Sequence, residues 1–159
     1  WKKDYPTMIR AAARPGRRLL IAGTGPQETE LRALAAELNA DVRFLGLRAD
    51  LPDLMNAADA LVLSSTGEGL PMVLLEAGAS GLPCVSTTAG GAAEAVVDGE
   101  TGFLSPCGDP ALLATAMARM EALSADDRLS MGRAARTLAL DRFDIGAVTS
   151  QWEKLYREP

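Results

Sequence analysis

Residues 64–78 read Ser64-Ser65-Thr66-Gly67-Glu68-Gly69-Leu70-Pro71-Met72-Val73-Leu74-Leu75-Glu76-Ala77-Gly78. This order predicts a loop that leads into an apolar helix. Pro71 fits the first helical position, because proline has no backbone N–H to lose there. The amides that follow Pro71 then point out of the helix end, where they and the positive end of the helix dipole attract phosphate.

Two carboxylates, Glu68 and Glu76, stand eight positions apart on either side of this helix start. Glu76 lies roughly 8 Å into the helix at about 1.5 Å per residue. Each carboxylate can accept two hydroxyl donors, which suits the diols of a ribose and a hexose. In the plainer alternative, Glu68 is a solvated loop residue and Glu76 is an exposed position. The apolar neighbours of Glu76 favour a partly buried carboxylate and therefore a ligand site.

The same stretch resembles the E-x7-E segment of the retaining GT-B glycosyltransferases of family 4. Further segments agree with that family in order and spacing: Lys3-Asp4-Tyr5-Pro6, Leu20-Ile21-Ala22-Gly23-Thr24-Gly25-Pro26, Val42-Arg43-Phe44-Leu45-Gly46, Gly90-Gly91 to Glu94, and Asp98-Gly99 to Thr101-Gly102. The resemblance implies the donor-binding, C-terminal half of a GT-B enzyme. Such an enzyme transfers a sugar from a nucleotide diphosphate sugar, with a UDP-sugar favoured, and retains the anomeric configuration.

Length and composition limit the alternatives. A chain of 159 residues predicts one domain over residues 1–159, and no apolar run is long enough for a transmembrane segment. A net charge of −5 argues against nucleic-acid binding, and the absence of histidine excludes histidine-based triads and zinc sites. Cys84 and Cys107 form no metal pattern, so we expect two buried, reduced thiols.

Short apolar strands alternate with helical patterns along the chain, which predicts an α/β fold with a doubly wound, Rossmann-like parallel sheet. Strands are predicted at 18–22, 42–45, 60–63, 84–86 and 102–104. Helices are predicted at 5–13, 28–39, 51–56, 71–80, 92–96, 112–123, 126–140 and 145–156. Ligands of such sheets bind beyond the carboxyl ends of the strands, so the separate motifs should meet in one cleft.

Both ends of the chain suggest missing partners. Doubly wound domains normally open with a strand, whereas this chain opens with a loop and a helix. We therefore expect the first strand to lie before Trp1, and the resemblance implies that an N-terminal GT-B domain precedes it. The terminal segment 144–159 carries Val148, Trp152 and Leu155 at helical spacing, an apolar stripe that must pack on something. The resemblance implies that this helix crosses toward the missing domain.

The resemblance also implies residue roles. Glu68 and Lys3 are the expected catalytic residues: Glu68 holds the sugar hydroxyls and Lys3 neutralises the leaving diphosphate. Glu76 holds the ribose hydroxyls. The other expected donor-binding residues are Gly69, Leu70, Met72, Val73, Arg48, Leu47 and Gly23. Fixed donors and cations can stabilise a departing diphosphate, so we expect neither a metal nor a cofactor.

Several of these residues have plainer interpretations. Lys3 could be a solvated terminal lysine and Arg48 an exposed surface arginine. The segment Gly23-Thr24-Gly25-Pro26 lacks the third glycine of a dinucleotide fingerprint, so we read it as a tight turn. Gly90-Gly91 could reflect a turn, and Glu94 a helix-end acid. Many relatives have Phe-Gly in place of Leu70-Pro71, which leaves the choice of sugar open.

The expected partners are the nucleotide-sugar donor, the missing N-terminal domain and a glycan or lipid-linked glycan acceptor. The expected location is the cytoplasm, or the periphery of the inner membrane for the full-length protein, with a role in bacterial glycan biosynthesis. Without its second domain the chain should transfer nothing. Two alternative functions remain: a sugar-nucleotide epimerase of similar architecture, and a noncatalytic nucleotide-binding module.

Overall fold

The computed structural model describes residues 2–157, in which strands and helices alternate. The strands are β1 (Arg18–Ala22), β2 (Asp41–Gly46), β3 (Leu61–Leu63), β4 (Cys84–Thr87) and β5 (Gly102–Ser105). The helices are α1 (Tyr5–Ala12), α2 (Glu28–Glu37), α3 (Leu51–Ala57), α4 (Met72–Ala79), α5 (Ala92–Ala95), α6 (Pro110–Glu121), α7 (Ala125–Phe143) and α8 (Ile145–Arg157). Each predicted element is present in the predicted order, and the α/β Rossmann-like class is confirmed.

The start of α4 differs by one residue from the prediction. Pro71 is the N-cap of the helix, with an extended ψ of 100°, and Met72 is the first helical residue. The fixed φ of proline, here −74°, is compatible with either position, so the sequence pattern did not distinguish them. The first amide of the helix itself is therefore that of Met72.

The strands form two parallel sheets where the sequence predicted one. One sheet has the order β1-β2 and the other β3-β4-β5. Leu20 aligns with Arg43 in the first sheet, and Val85 aligns with Val62 and Phe103 in the second. Strands β1 and β3 face each other across a gap between the two sheets. They are not paired with each other in the described part of the chain. The loops that follow the strands therefore lie at the carboxyl edges of two separate sheets.

Two clusters of buried apolar side chains pack the helices against the strands. Ile9 of α1 and Leu113 of α6 are fully buried in the first, and Leu74 of α4 packs near Cys84 in the second. Burial raises the pKa of the Cys84 thiol to about 12, as expected for an inert core cysteine. Cys107 is exposed, so the prediction of two buried thiols is wrong for that residue. It follows β5 in a surface turn, which its apolar character did not indicate.

Most of the apolar stripe of α8 is not covered by the rest of the described chain, although Val148 is half-buried. No residue of this helix is buried, and Trp152 and Leu155 expose more than half of their surfaces. Trp152 stacks instead on Tyr156 of the same helix, with ring centroids 6.0 Å apart. Within residues 2–157, the expectation that the stripe packs on something is not met at Trp152 and Leu155. In that range, no helix combines the length and hydropathy of a membrane span.

Replacing Gly132 with alanine tests the packing of α7. A Cβ at Gly132 would lie 2.0 Å from the carbonyl oxygen of Gly81, in the turn after α4. Alanine usually stabilises a helix interior by about 0.5–1 kcal/mol relative to glycine. Here we expect Gly132→Ala to lower the free energy of unfolding by about 1–3 kcal/mol, because backbone must move. Urea denaturation measures this change.

Gly146→Ala is the matched control. The added Cβ would meet only a carboxylate oxygen of Asp144, at 3.1 Å, which a side-chain rotation relieves. We expect a change within about 0.5 kcal/mol. Equal stability of Gly132→Ala and the unmodified protein would contradict the close approach of α7 to the Gly81 turn.

Candidate functional site

The backbone of residues 2–4 is docked on the loop that follows β3. The Thr66 amide donates to the Lys2 carbonyl at 2.7 Å. The Ser64 hydroxyl lies 2.8 Å from the carbonyl oxygen of Lys3 and 2.9 Å from that of Asp4. Ser64 is fully buried, and Asp4 adopts φ 45° as the N-cap of α1. Ser64 and Thr66, which follow the apolar strand β3, thus determine where the backbone of Lys3 lies.

Lys3 and Glu68, the two predicted catalytic residues, form an ion pair. Lys3 Nζ lies 2.7 Å from Glu68 Oε1, and the Ser65 hydroxyl donates to the same oxygen at 2.7 Å. The Lys3 ammonium, then the Ser65 hydroxyl, holds the pKa of the Glu68 carboxyl below its ordinary value. The Glu68 side chain is only 16% exposed. Lys3 is therefore placed by a specific contact and is not a freely solvated terminal lysine.

Ser65 is a site residue that the sequence reasoning missed. Its side chain is fully buried at the carboxyl end of β3 and touches Glu68. The pair of serines at 64 and 65, at the end of an apolar strand, could have indicated this role, because buried hydroxyls require hydrogen-bond partners.

The glycine pair 90–91 packs against the loop that carries Glu68. The Gly91 amide donates to the Gly69 carbonyl at 2.7 Å. A Cβ at Gly90 would lie 1.9 Å from the Glu68 carbonyl oxygen, and Gly90 has φ 54°. Both facts exclude a side chain at Gly90. Glu94 lies in the first turn of α5, in agreement with the plainer interpretation of a helix-end acid.

The amino end of α4 presents a row of backbone donors. Leu74 is the first residue of α4 whose amide donates a hydrogen bond, and its acceptor is the Pro71 carbonyl at 3.0 Å. Within residues 2–157, the amides of Gly69, Leu70, Met72 and Val73 in front of it make no backbone hydrogen bond. Leu70 and Met72 are also exposed to solvent. The amides of Met72 and Val73 are those predicted to bind donor phosphate, Gly69 and Leu70 are predicted donor-binding residues, and this geometry suits an anion.

Glu76 is exposed, so the prediction of a partly buried carboxylate is wrong. Its neighbours on α4 are buried, but Glu76 itself lines an open cavity of about 420 Å³ between α4 and the start of α3. Leu51, Pro52, Met55 and Ser80 are among the other residues of this cavity. The helix has one uncovered face, which its continuous apolar sequence did not indicate. Glu68 is not among the residues that line this cavity.

The three predicted residues from the other loops differ in their freedom to contact a ligand. Arg48 forms a two-pronged ion pair with Asp50, which lowers the pKa of that carboxyl. Leu47 is 86% exposed. The Gly23 amide donates to the Gly46 carbonyl at 2.7 Å, so Gly23 bridges the carboxyl ends of the parallel strands β1 and β2. The turn interpretation of the segment agrees instead with the bond from the Glu28 amide to the Gly25 carbonyl, at 3.2 Å.

The structure thus brings together Lys3, Glu68 and the amides before α4, and leaves Glu76 on a separate cavity. In the described part of the chain, no group of three or more acidic or cysteine side chains is placed to hold a metal ion. The arrangement offers fixed backbone donors, one cation and two carboxylates to a ligand that carries both phosphate and hydroxyl groups.

Comparison with known proteins gives the family. The model of the family described as "Glycosyl transferases group 1" matches residues 3–122, and the chain belongs to that family. It is 34% identical over 143 residues to the N-acetyl-alpha-D-glucosaminyl L-malate synthase of Bacillus anthracis, which covers 87% of this chain and 37% of the synthase. It is 35% identical over 159 residues to the lipopolysaccharide core biosynthesis glycosyltransferase LpsE of Rhizobium meliloti. This match covers 97% of this chain and 46% of LpsE.

A solved structure agrees with this assignment. Anabaena HepE, crystallised with UDP and glucose, superposes with a TM-score of 0.87 at 31% identity, over 98% of this chain and 45% of HepE. The chain is therefore a group 1 glycosyltransferase domain of GT-B type. It spans less than half the length of the curated relatives described above.

Replacing Lys3 with methionine tests the ion pair. Because the pKa of Glu68 is lowered on folding, the pair stabilises the protein above the ordinary carboxyl pKa of 4.5, and this stabilisation is lost as the pH falls through the lowered value. Lys3 is half exposed, so we expect Lys3→Met to lower the free energy of unfolding by at most about 1 kcal/mol at neutral pH. The difference should shrink toward zero on acidification.

Lys2→Met removes the same charge one residue away, from a side chain with no hydrogen bond to Glu68. We expect a smaller loss from this control at neutral pH in the same urea titrations. If both variants lose equal stability, or if the Lys3→Met deficit is independent of pH, the ion pair is not formed in solution.

Proposed function

We propose that this domain binds a nucleotide diphosphate sugar for a retaining glycosyl transfer of family 4 type, with a UDP-sugar as donor. The observation that carries the proposal is the row of unpaired amides before α4, beside Lys3 and Glu68. The similarity to HepE, which was crystallised with UDP and glucose, supports a uridine nucleotide.

The diphosphate is the best-supported part of the ligand. The amides of Met72 and Val73 stand at the positive end of the α4 dipole, and those of Gly69 and Leu70 precede them. In the proposed complex these four amides donate to phosphate oxygens. Lys3 turns from Glu68 to the phosphates, which leaves the Glu68 carboxylate free to accept from the sugar hydroxyls. Both are flexible side chains, and the pair is partly exposed.

The nucleoside half of the ligand is assigned to the cavity beside Glu76. There the carboxylate accepts from the ribose hydroxyls, and its exposure leaves it accessible to them. Leu47 and Arg48 follow β2 next to Ala49, a residue that lines the same cavity. In the proposal, these two residues contact the base, and the Gly23 turn forms the floor of the cleft.

The chemistry is electrostatic. Bond cleavage at the anomeric carbon leaves negative charge on the diphosphate, and the fixed amides stabilise that charge together with Lys3, which has turned to the phosphates when the donor binds. We assign no residue as a nucleophile, and we propose neither a metal nor a cofactor. The reaction proposed is hexosyl transfer to a glycan or lipid-linked glycan.

The acceptor site is assigned to an N-terminal domain outside this chain, so the chain by itself should bind donor and transfer nothing. We place the whole enzyme in the cytoplasm or at the inner membrane periphery, in bacterial glycan biosynthesis, as the biosynthetic role of a relative such as LpsE suggests.

Replacing Glu76 with alanine tests the ribose assignment. Hydrogen bonds to a charged acceptor contribute about 1.5–3 kcal/mol, so Glu76→Ala should weaken UDP binding by roughly ten- to a hundredfold. Isothermal titration calorimetry of the 159-residue chain with UDP, GDP, ADP, CMP and NAD measures the affinity and the base preference.

Glu37→Ala is the control, since Glu37 is an exposed glutamate of α2 and the charge change is the same. It should bind UDP as the unmodified chain does. Unchanged UDP affinity in Glu76→Ala would contradict the ribose role, and a preference for NAD would overturn the proposed function.

A further inference from the structure

Glu68 is a mostly buried carboxylate that depends on Lys3 for its counter-charge. Its side chain is 16% exposed, and both Lys3 Nζ and the Ser65 hydroxyl lie 2.7 Å from the same oxygen, Oε1. In the described part of the chain, no residue donates to the other oxygen, Oε2. The charge of Lys2 acts on Glu68 only over a longer distance. Lys3 therefore balances the negative charge of Glu68 while no ligand is bound.

The two members of the pair differ in their freedom to move. Glu68 is held by the Ser65 hydroxyl, and its loop packs on the 90–91 loop, where the Gly91 amide donates to the Gly69 carbonyl at 2.7 Å. A Cβ at Gly90 would lie 1.9 Å from the Glu68 carbonyl oxygen, so the two backbones are in direct contact. Lys3 has a flexible stem and is half exposed. When a phosphate attracts Lys3, the ammonium moves and the carboxylate stays.

The intact donor and the released nucleotide diphosphate differ at this carboxylate. A donor carries a sugar on its second phosphate, and the hydroxyl groups of that sugar can donate to Oε2 and to the position on Oε1 that Lys3 leaves. A released diphosphate ends in a phosphate group, which carries about 1.5 to 2 negative charges at pH 7 and acts mainly as an acceptor. It attracts Lys3 but offers Glu68 no donor. A mostly buried carboxylate without a partner is costly in free energy.

We propose that Glu68 distinguishes the donor from its product through competition for Lys3. The donor exchanges one partner of Glu68 for another, because its sugar hydroxyls take the place of the Lys3 ammonium. The released diphosphate takes Lys3 away and leaves the carboxylate unpaired, so it is held less tightly and dissociates. This inference rests on the proposed function and adds to it a reason for product release.

Replacing Glu68 with glutamine tests this competition, because glutamine has nearly the same shape and no charge. Isothermal titration calorimetry of the 159-residue chain measures the affinity for UDP and, separately, for UDP-glucose. We expect UDP to bind about two- to fivefold more tightly to Glu68→Gln, since the phosphate no longer separates an ion pair. UDP-glucose should bind at least about threefold more weakly, because its hydroxyls lose a charged acceptor. Changes in opposite directions exclude a general loss of folding.

Glu94→Gln is the matched control. Glu94 is an exposed carboxylate of α5, the helix that follows Gly91, so this substitution removes the same charge beside the same loop and leaves the ion pair intact. We expect both affinities to stay within about twofold of those of the unmodified chain.

The Glu68→Gln substitution is then repeated in a Lys3→Met background. There the phosphate and Glu68 have no ammonium to compete for, so only their direct repulsion remains and the gain in UDP affinity should be smaller. An equal gain in both backgrounds would show that Glu68 acts by repulsion alone, and the proposed competition would be wrong.

The outcomes separate this inference from the proposed function. If the unmodified chain binds UDP and Glu68→Gln binds it with equal or lower affinity, the competition is contradicted while the nucleotide site stands. If both UDP and UDP-glucose bind more tightly to Glu68→Gln, Glu68 does not hold the sugar and does not distinguish donor from product. If the unmodified chain binds neither ligand, the proposed function fails, and this inference with it.

Discussion

The contact of the buried Ser64 hydroxyl with the carbonyls of Lys3 and Asp4 positions several other features of this domain. It fastens the first described residues to the end of β3 and sets the start of α1, whose N-cap is Asp4. It also holds Lys3 within reach of Glu68, which is 65 residues away in the chain. One satisfied hydroxyl thus links the sheet, the first helix and the proposed catalytic pair.

Elements with a regular apolar period were predictable from the sequence. The bounds of β1 are as predicted, and most other strands and helices differ by one to three residues, because local periodicity and proline or glycine ends determine them. Features that depend on distant residues were not predictable. The Lys3–Glu68 pair, the role of Ser65, the exposure of Glu76 and the division into two sheets all depend on which surfaces meet in the fold.

The Lys3–Glu68 ion pair explains how a lysine can be kept at an anion site while no ligand is bound. An isolated lysine before the amides of α4 would add positive charge to an already positive helix end. The pair neutralises that charge locally, and a diphosphate that displaces Glu68 from Lys3 offers the ammonium a more highly charged partner. The cost of separating the pair is small because Lys3 is half exposed. The proposed ligand can therefore compete for Lys3.

The gap between the two sheets and the proposed donor site meet at one edge of the fold. In doubly wound sheets, ligands bind where the strand order reverses, beyond the carboxyl ends of the strands. Here the order reverses between β1 and β3, and Lys3 lines the cavity between them. The hydrogen bonds that hold residues 2–4 on the loop after β3 therefore fix the backbone of Lys3 at this point, while its half-exposed side chain can turn from Glu68 to a phosphate.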